Sequence, residues 1–222
     1  MTAPRLRVAV LASGRGSNLQ ALIVARDAGV LPVDFVVVGS DKPNAGALQL
    51  AKDACIPTFT LNPKDFANRR DFDFELFRRL DASGAQVLVL AGFMRIIDGE
   101  ALAPWVGRMI NVHPSLLPKY RGLHTHRRAL EAGDAEHGAS VHYVTAELDG
   151  GPVIAQARIA IQPGDDEGQL AQRLLTFEHQ LLPAVLKLIA EQRLDLIAPN
   201  RVALDGKLLD TPLQLRHGAL VD

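Results

Sequence analysis

A single cysteine, Cys55, stands among 222 residues. The chain can form no internal disulfide, which suits a reducing compartment. Cys55 follows the apolar-periodic stretch 47–54 with no histidine beside it in sequence, so a buried, inert thiol is expected rather than a nucleophile. Excess charge of either sign is also missing: 24 Lys and Arg stand against 25 Asp and Glu, a formal net charge of −1. A protein that lives on nucleic acid is usually more basic, so an anionic ligand must be met by a local patch. No apolar run approaches the ~20 residues that span a bilayer. The start, MTAPRLRVAVLASG, is too short in apolar residues for a signal peptide. A cytoplasmic protein, with no membrane partner, is expected. With 48% apolar and 22% charged residues, disorder is a poor reading. No repeat, low-complexity segment or linker breaks the chain, and one domain over residues 1–222 is the simplest organisation.

The first half alternates strand and helix signals. Residues 6–12 form a short β-branched apolar run, and a helix opens near Ser17 with Leu19, Leu22 and Ile23 on one face. Residues 33–39 read as a buried strand, 45–54 as a helix, 58–61 as a short strand and 65–80 as a helix. Residues 87–91 and 109–113 are further strands. Such alternation predicts an α/β fold built of βαβ units around a mostly parallel sheet, in which ligands bind beyond the carboxyl ends of the strands. In the second half, residues 140–144 and 153–161 are strand-like. The acidic stretch 164–167 heads a long helix running to about Ile189 despite Pro183. Residues 202–204 and 207–209, around Asp205-Gly206, read as a hairpin.

Ser13-Gly14-Arg15-Gly16-Ser17-Asn18 follows a strand and opens a helix. Glycines let a backbone approach an anion, and amides at a helix N-terminus point toward it. A dinucleotide fingerprint fits poorly, since Leu19 stands where its third glycine belongs, and no Gly-Lys-Ser/Thr completes a Walker loop. A phosphate cradle at Gly16, Ser17 and Asn18 is preferred. The competing reading is a tight turn with Ser17 as an ordinary helix cap.

Asn111 and His113 alternate at the carboxyl end of a strand, so an amide and an imidazole share one face. Asp149 sits in Leu148-Asp149-Gly150-Gly151-Pro152; a lone Asp-Gly is usually a turn, but beside an imidazole a carboxylate would hold it charged or in one tautomer. Glu178 falls within the apolar stripe Leu170, Leu174, Leu175, Leu181, Leu182, Val185 and Ile189 of the last long helix. A buried carboxylate needs a partner, either a core arginine or a group on a substrate. Residues 119–128 are rich in Lys, Arg and His but hold one aromatic, Tyr120, which argues against RNA. His124 and His126 lack the ligand spacing of a metal site.

At these residues the sequence resembles the folate-dependent formyltransferases that act on glycinamide ribonucleotide. The resemblance covers residues 6 to about 189. It rests on the segment 13–20, Leu90-Ala91-Gly92-Phe93-Met94-Arg95, residues 111–122, Gly122-Leu123-His124-Thr125-His126, Ser140-Val141-His142 and residues 147–152. It implies a Rossmann-like sheet, with the nucleotide in the half up to about residue 105, and the folate and the catalysis in residues 106–192; residues 193–222 form an extension. It implies Asn111, His113 and Asp149 as the catalytic set, Gly16, Ser17 and Asn18 as the phosphate site, and Glu178 as the glycinamide contact. Arg69, Met94, Arg95, Ile97 and Val144 would line the folate pocket, with Ser140, His142 and His124 in support. The co-substrate implied is 10-formyltetrahydrofolate, with no metal and no nucleic acid, in a monomer or homodimer. Charged His113 and the Asn111 amide would stabilise an oxyanion while Asp149 keeps His113 protonated. A relative directed at tRNA would be expected to add a longer basic C-terminal domain, and a deformylase an N-terminal regulatory one; neither pattern is present in these residues.

Overall fold

The structure is a computed structural model that describes residues 4–197 and 200–222. The first three residues of the leader reading, and two of the tail, lie outside the described residues. The chain divides into two compact units, residues 1–111 and 112–222.

The first unit holds β1 (Leu6–Leu11), α1 (Ser17–Asp27), β2 (Val33–Ser40), α2 (Gly46–Asp53), β3 (Thr58–Thr60), α3 (Arg69–Ala82), β4 (Val87–Leu90) and α4 (Gly99–Leu102). The first three residues of β5 (Met109–His113) complete it. The strands run parallel in the order β5-β4-β1-β2-β3. Val8, Val10, Val38, Leu88 and Val89 are buried in the sheet, with Leu19, Leu22, Leu76 and Leu80 from the helices. The chain leaves β1 toward β2 on one side and later returns to β4 on the other, so the strand order reverses between β1 and β4. In open α/β sheets that reversal opens a crevice beyond the strand ends. The glycine loop follows β1, and residues 91–98 follow β4.

Two expectations change in this unit. α3 begins at Arg69, not Asp65, because Asn68 caps it by accepting the Asp71 amide at 3.0 Å; residues 63–65 form a separate short 3-10 turn. Cys55 is exposed rather than buried. It lies just beyond α2 at φ 56°, and the Ile56 amide bonds back to the Ala51 carbonyl at 2.8 Å. This six-to-one closure ends the helix with a left-handed residue turned outward, and Ile56 takes the buried place instead.

The second unit holds α5 (Thr125–Glu131), β6 (Glu136–Tyr143), β7 (Val153–Ala160) and α6 (Glu167–Ala190). β8 (Leu194–Ile197), β9 (Arg201–Leu204), β10 (Lys207–Leu208), β11 (Leu213–Arg216) and β12 (Ala219–Val221) follow. β6 and β7 are antiparallel, β11 joins β7 in parallel and β12 pairs with β11. β8, β9 and β10 form a separate antiparallel sheet that contains the expected hairpin. β6 starts four residues earlier than the expected 140, and α5 and the β11–β12 pair are additions. α6 opens on a capping box: Asp166 accepts from the Gln169 amide at 2.7 Å and Gln169 accepts from the Asp166 amide at 3.0 Å. Leu170, Leu174, Leu181, Leu182 and Val185 are buried as the stripe requires, while Leu175 and Ile189 are half-buried. Among the described residues no helix is long and apolar enough to cross a membrane.

Candidate active site

In the first unit, Gly16 caps α1 at φ 84°. A Cβ there would lie 2.7 Å from the Ala47 Cα, so the position admits only glycine on both conformational and steric grounds. The first amide bonded within α1 is that of Gln20, to the Gly16 carbonyl at 2.8 Å. The amides of Ser17, Asn18 and Leu19 therefore head the helix, where anions are favoured. Ser17 is inside the helix, so it is not the cap. Asn18 is buried and Arg15 is exposed.

Ser13 joins this loop to the one after β4. Its hydroxyl donates to Asp41 Oδ1 at 2.6 Å and accepts the Met94 amide at 3.0 Å, while its own amide bonds the Gly92 carbonyl at 3.0 Å. Met94 is 66% exposed, Ile97 is half-buried and Arg69 opens α3 at the surface. The Arg95 guanidinium stacks over Phe72 at 4.5 Å. Four of the five expected folate contacts thus lie in the first unit; Val144, half-buried just past β6, is the fifth.

In the second unit the centre is His113, 6% exposed at the end of β5. Asn111 precedes it by two residues in the same strand and closes the first unit. His113 Nε2 lies 2.9 Å from the Tyr120 carbonyl, which can only accept, so Nε2 carries a proton. Nδ1 faces Asp149 Oδ2 at 3.5 Å. A neutral ring would then turn a lone pair toward a carboxylate, whereas an imidazolium donates on both sides. Burial opposes that charge. It pushes His113 below the ordinary imidazole range, and the Tyr120 carbonyl and Asp149, which pull upward, offset only part of it; His142 and Arg128 add to the depression. The expectation that Asp149 lifts this histidine therefore holds for its own contribution but not for the net direction, because desolvation is larger.

Asp149 adopts φ 46°. Its Oδ2 accepts the Gly122 amide at 2.9 Å, and His142 Nε2 stands 3.7 Å from Oδ1. Burial pushes its carboxyl up, but His142, the Gly122 amide and the charge of His113 outweigh it and leave Asp149 below its ordinary value. A Cβ at Gly151 would sit 1.9 Å from the Tyr143 carbonyl. This glycine therefore serves close approach to the chain's own strand.

The supporting residues separate. Ser140 donates to the Ser115 carbonyl at 2.7 Å and accepts from the Leu117 amide at 3.1 Å, so it clamps the loop that leaves His113. His142 touches Asp149. His124 lies apart, exposed, with Nδ1 2.8 Å from Arg127. His126 is paired through Nδ1 with His137 Nε2 at 3.0 Å. Glu178 is 8% exposed on α6, within the apolar stripe. Sequence reasoning missed Ser13, Asp41, the Tyr120 carbonyl and the Gly122 amide. The polar residues ending β1 and opening the loop after β2 were a signal for the first two; backbone groups leave none. Among the described residues no group of three or more His, Cys, Asp or Glu is placed to hold a metal ion.

The class is given by sequence: the model of the formyl transferase family matches residues 6–186. The phosphoribosylglycinamide formyltransferase of Escherichia coli is 47% identical over 92% of this chain and 96% of its own length. A solved structure of the phosphoribosylglycinamide formyltransferase of Coxiella burnetii superposes with a TM-score of 0.88 at 46% identity, covering 92% of this chain and 96% of that one. The trifunctional purine biosynthetic protein adenosine-3 of Drosophila melanogaster is 48% identical over 83% of this chain, which spans 14% of that longer protein. The chain belongs to the formyl transferase family, among its phosphoribosylglycinamide formyltransferases.

Proposed function

We propose that this chain transfers a formyl group from 10-formyltetrahydrofolate to the amine of glycinamide ribonucleotide, a step of purine biosynthesis. The observation that carries the reading is the His113–Asp149 pair at the end of β5, inside the matched family region. The Gly16–Asn18 turn, with its glycine-only cap and helix amides, supports a ribonucleotide phosphate at the head of α1. Glu178 is the residue for the glycinamide end.

The folate supplies the formyl group. The residues of the first unit fit such a ligand. Met94 offers an exposed apolar face for a flat ring, Arg69 offers a cation for an acidic tail, and the Nε of Arg95 is a buried donor without a hydrogen-bond partner. As negative charge develops on the formyl oxygen under attack by the neutral amine, the Asn111 amide donates to it, and the His113 Nε2–H, which bonds the Tyr120 carbonyl at 2.9 Å, is shared with it. Asp149 holds His113 with Nδ1 protonated and takes part in moving the amine's proton to the folate nitrogen, whose bond to the formyl carbon breaks as tetrahydrofolate leaves. Burial pulls the His113 pKa down, and the Asp149 carboxylate and the Tyr120 carbonyl oppose that pull.

The test is turnover with and without the acceptor. Formyl transfer that requires both substrates is expected. Release of formate in the absence of glycinamide ribonucleotide at a comparable rate would instead identify a deformylase.

A further inference from the structure

We propose that Asp73 is a positioning residue for the formyl donor, fixing the loop of Arg95 and Ile97 from beneath. The inference rests on the reading of Met94, Arg95 and Ile97 as donor contacts. Asp73 lies on α3 beside Phe72 and is completely buried. A buried carboxylate costs stability that an apolar side chain would not, so its presence calls for a gain elsewhere.

The gain is in the loop. Asp73 Oδ2 accepts the Asp98 amide at 2.8 Å. At the other end, the Ser13 hydroxyl accepts the Met94 amide at 3.0 Å. Residues 95–97 are strung between two amides, each held by a side chain from another element. Asp98 in turn caps α4 by accepting the Glu100 amide at 3.0 Å, so the lower anchor is fixed to a helix. The Asp73 carboxylate also attracts Arg95, whose guanidinium stacks on the neighbouring Phe72. Asp73 Oδ1 and Arg95 Nε are both buried without a hydrogen-bond partner. The charge of Asp73 therefore acts on Arg95 through space.

The charged groups facing Asp73 are Arg69 on its own helix and Arg95 and Asp98 on the loop. Burial raises its pKa; the Asp98 amide, Arg95 and Arg69 pull it down without cancelling that rise, and Asp98 adds to it. The ionised form is the one that holds Arg95. Donor affinity is thus full above the raised pKa and is lost as pH falls through it.

Two variants test this. Asp73→Ala removes both the acceptor and the charge, and is expected to raise the donor KM roughly tenfold while kcat and the KM of the phosphorylated acceptor stay within about twofold. Asp73→Asn keeps an acceptor for the Asp98 amide; it should recover part of the loss and abolish the acid limb in the donor KM. Should Asp73→Ala fail to fold, the missing acid limb in Asp73→Asn carries the test. Arg95→Ala serves as the reference. If it leaves the donor KM unchanged, the donor-loop reading falls and the proposal with it. If it raises the donor KM while the Asp73 variants change only stability, or lower kcat with both KM values unmoved, Asp73 is structural and the proposal alone is overturned.

Discussion

His113 is held between opposing demands: a buried site that disfavours charge, and two acceptors that favour it. Asp149→Asn removes one of the upward pulls and keeps the size. The His113 pKa should fall further, and turnover at neutral pH should drop by about a hundredfold or more, the usual cost of losing an oxyanion donor, while acceptor binding changes little. The sign is fixed. If the imidazolium is required, activity is lost as pH rises through the His113 pKa, so the variant should lose activity at lower pH than the parent. NMR titration of His113 in both proteins decides it; an unchanged titration would leave Asp149 only a role in ordering its own loop. At this scale the sequence was informative about side chains. Asn111 and His113 could be singled out because they share one face at a strand's carboxyl end, whereas Asp149 alone reads as an ordinary turn and joins them only through the family resemblance. The Tyr120 carbonyl and the Gly122 amide, which orient that set, could not, because every residue carries the same backbone groups.

Elements with strong periodicity were legible, and those without it were not. α6 follows from its leucine stripe and its acidic head, and β5 from Met109, Ile110 and Val112 around Asn111 ahead of His113. α5 has seven residues, too few to show an apolar face among its arginines. The first half of β6 reads Glu-His-Gly-Ala, without a β-branched residue, and is a strand because its pairing with β7 and its burial make it one. The start of α3 moved because an Asn cap was outvoted by the apolar spacing around it. The sharpest element-level prediction concerns the turn into α1. Gly16→Ala must place a methyl against Ala47 at a left-handed φ. About 2–4 kcal/mol of destabilisation is expected from strain and overpacking together, with a raised KM for the phosphorylated substrate. Urea unfolding and kinetics measure the two effects. A variant as stable as the parent would mean that α1 and α2 can separate at no cost.

Across the whole molecule, buried histidines contribute to the response to mild acid. His113, His126, His137 and His179 are all depressed by burial, His137 to about 4. Unfolded, each titrates near 6.5, so the unfolded chain binds more protons in the interval between. Their stabilisation is complete above that value and is lost as pH falls toward the folded values. The melting temperature should therefore decline steadily from pH 7 to pH 4. His137→Gln should flatten the decline even if it lowers the melting temperature at pH 7; a slope identical to the parent's would remove His137 as a contributor. At this scale the sequence conveyed the class and the parallel half of the architecture. It did not reveal that β11 would return to pair with β7, since strands of three or four residues carry too little pattern to announce a partner more than fifty positions away.

The Ser13 hydroxyl receives one amide and gives one hydrogen bond, joining the turn at the head of α1 to the start of the loop after β4. A shared atom of this kind makes the order of one loop partly the order of the other. A ligand that stiffens the first lowers the entropy still to be lost when a ligand settles on the second, and the saving must be equal whichever binds first. The two substrates should therefore tighten each other's dissociation constants by the same factor. In Ser13→Ala that factor should move toward one, even where each substrate binding alone is only modestly weakened. Paired calorimetric titrations, each ligand with and without the other, measure it directly; an unaltered factor would show that the two loops respond independently.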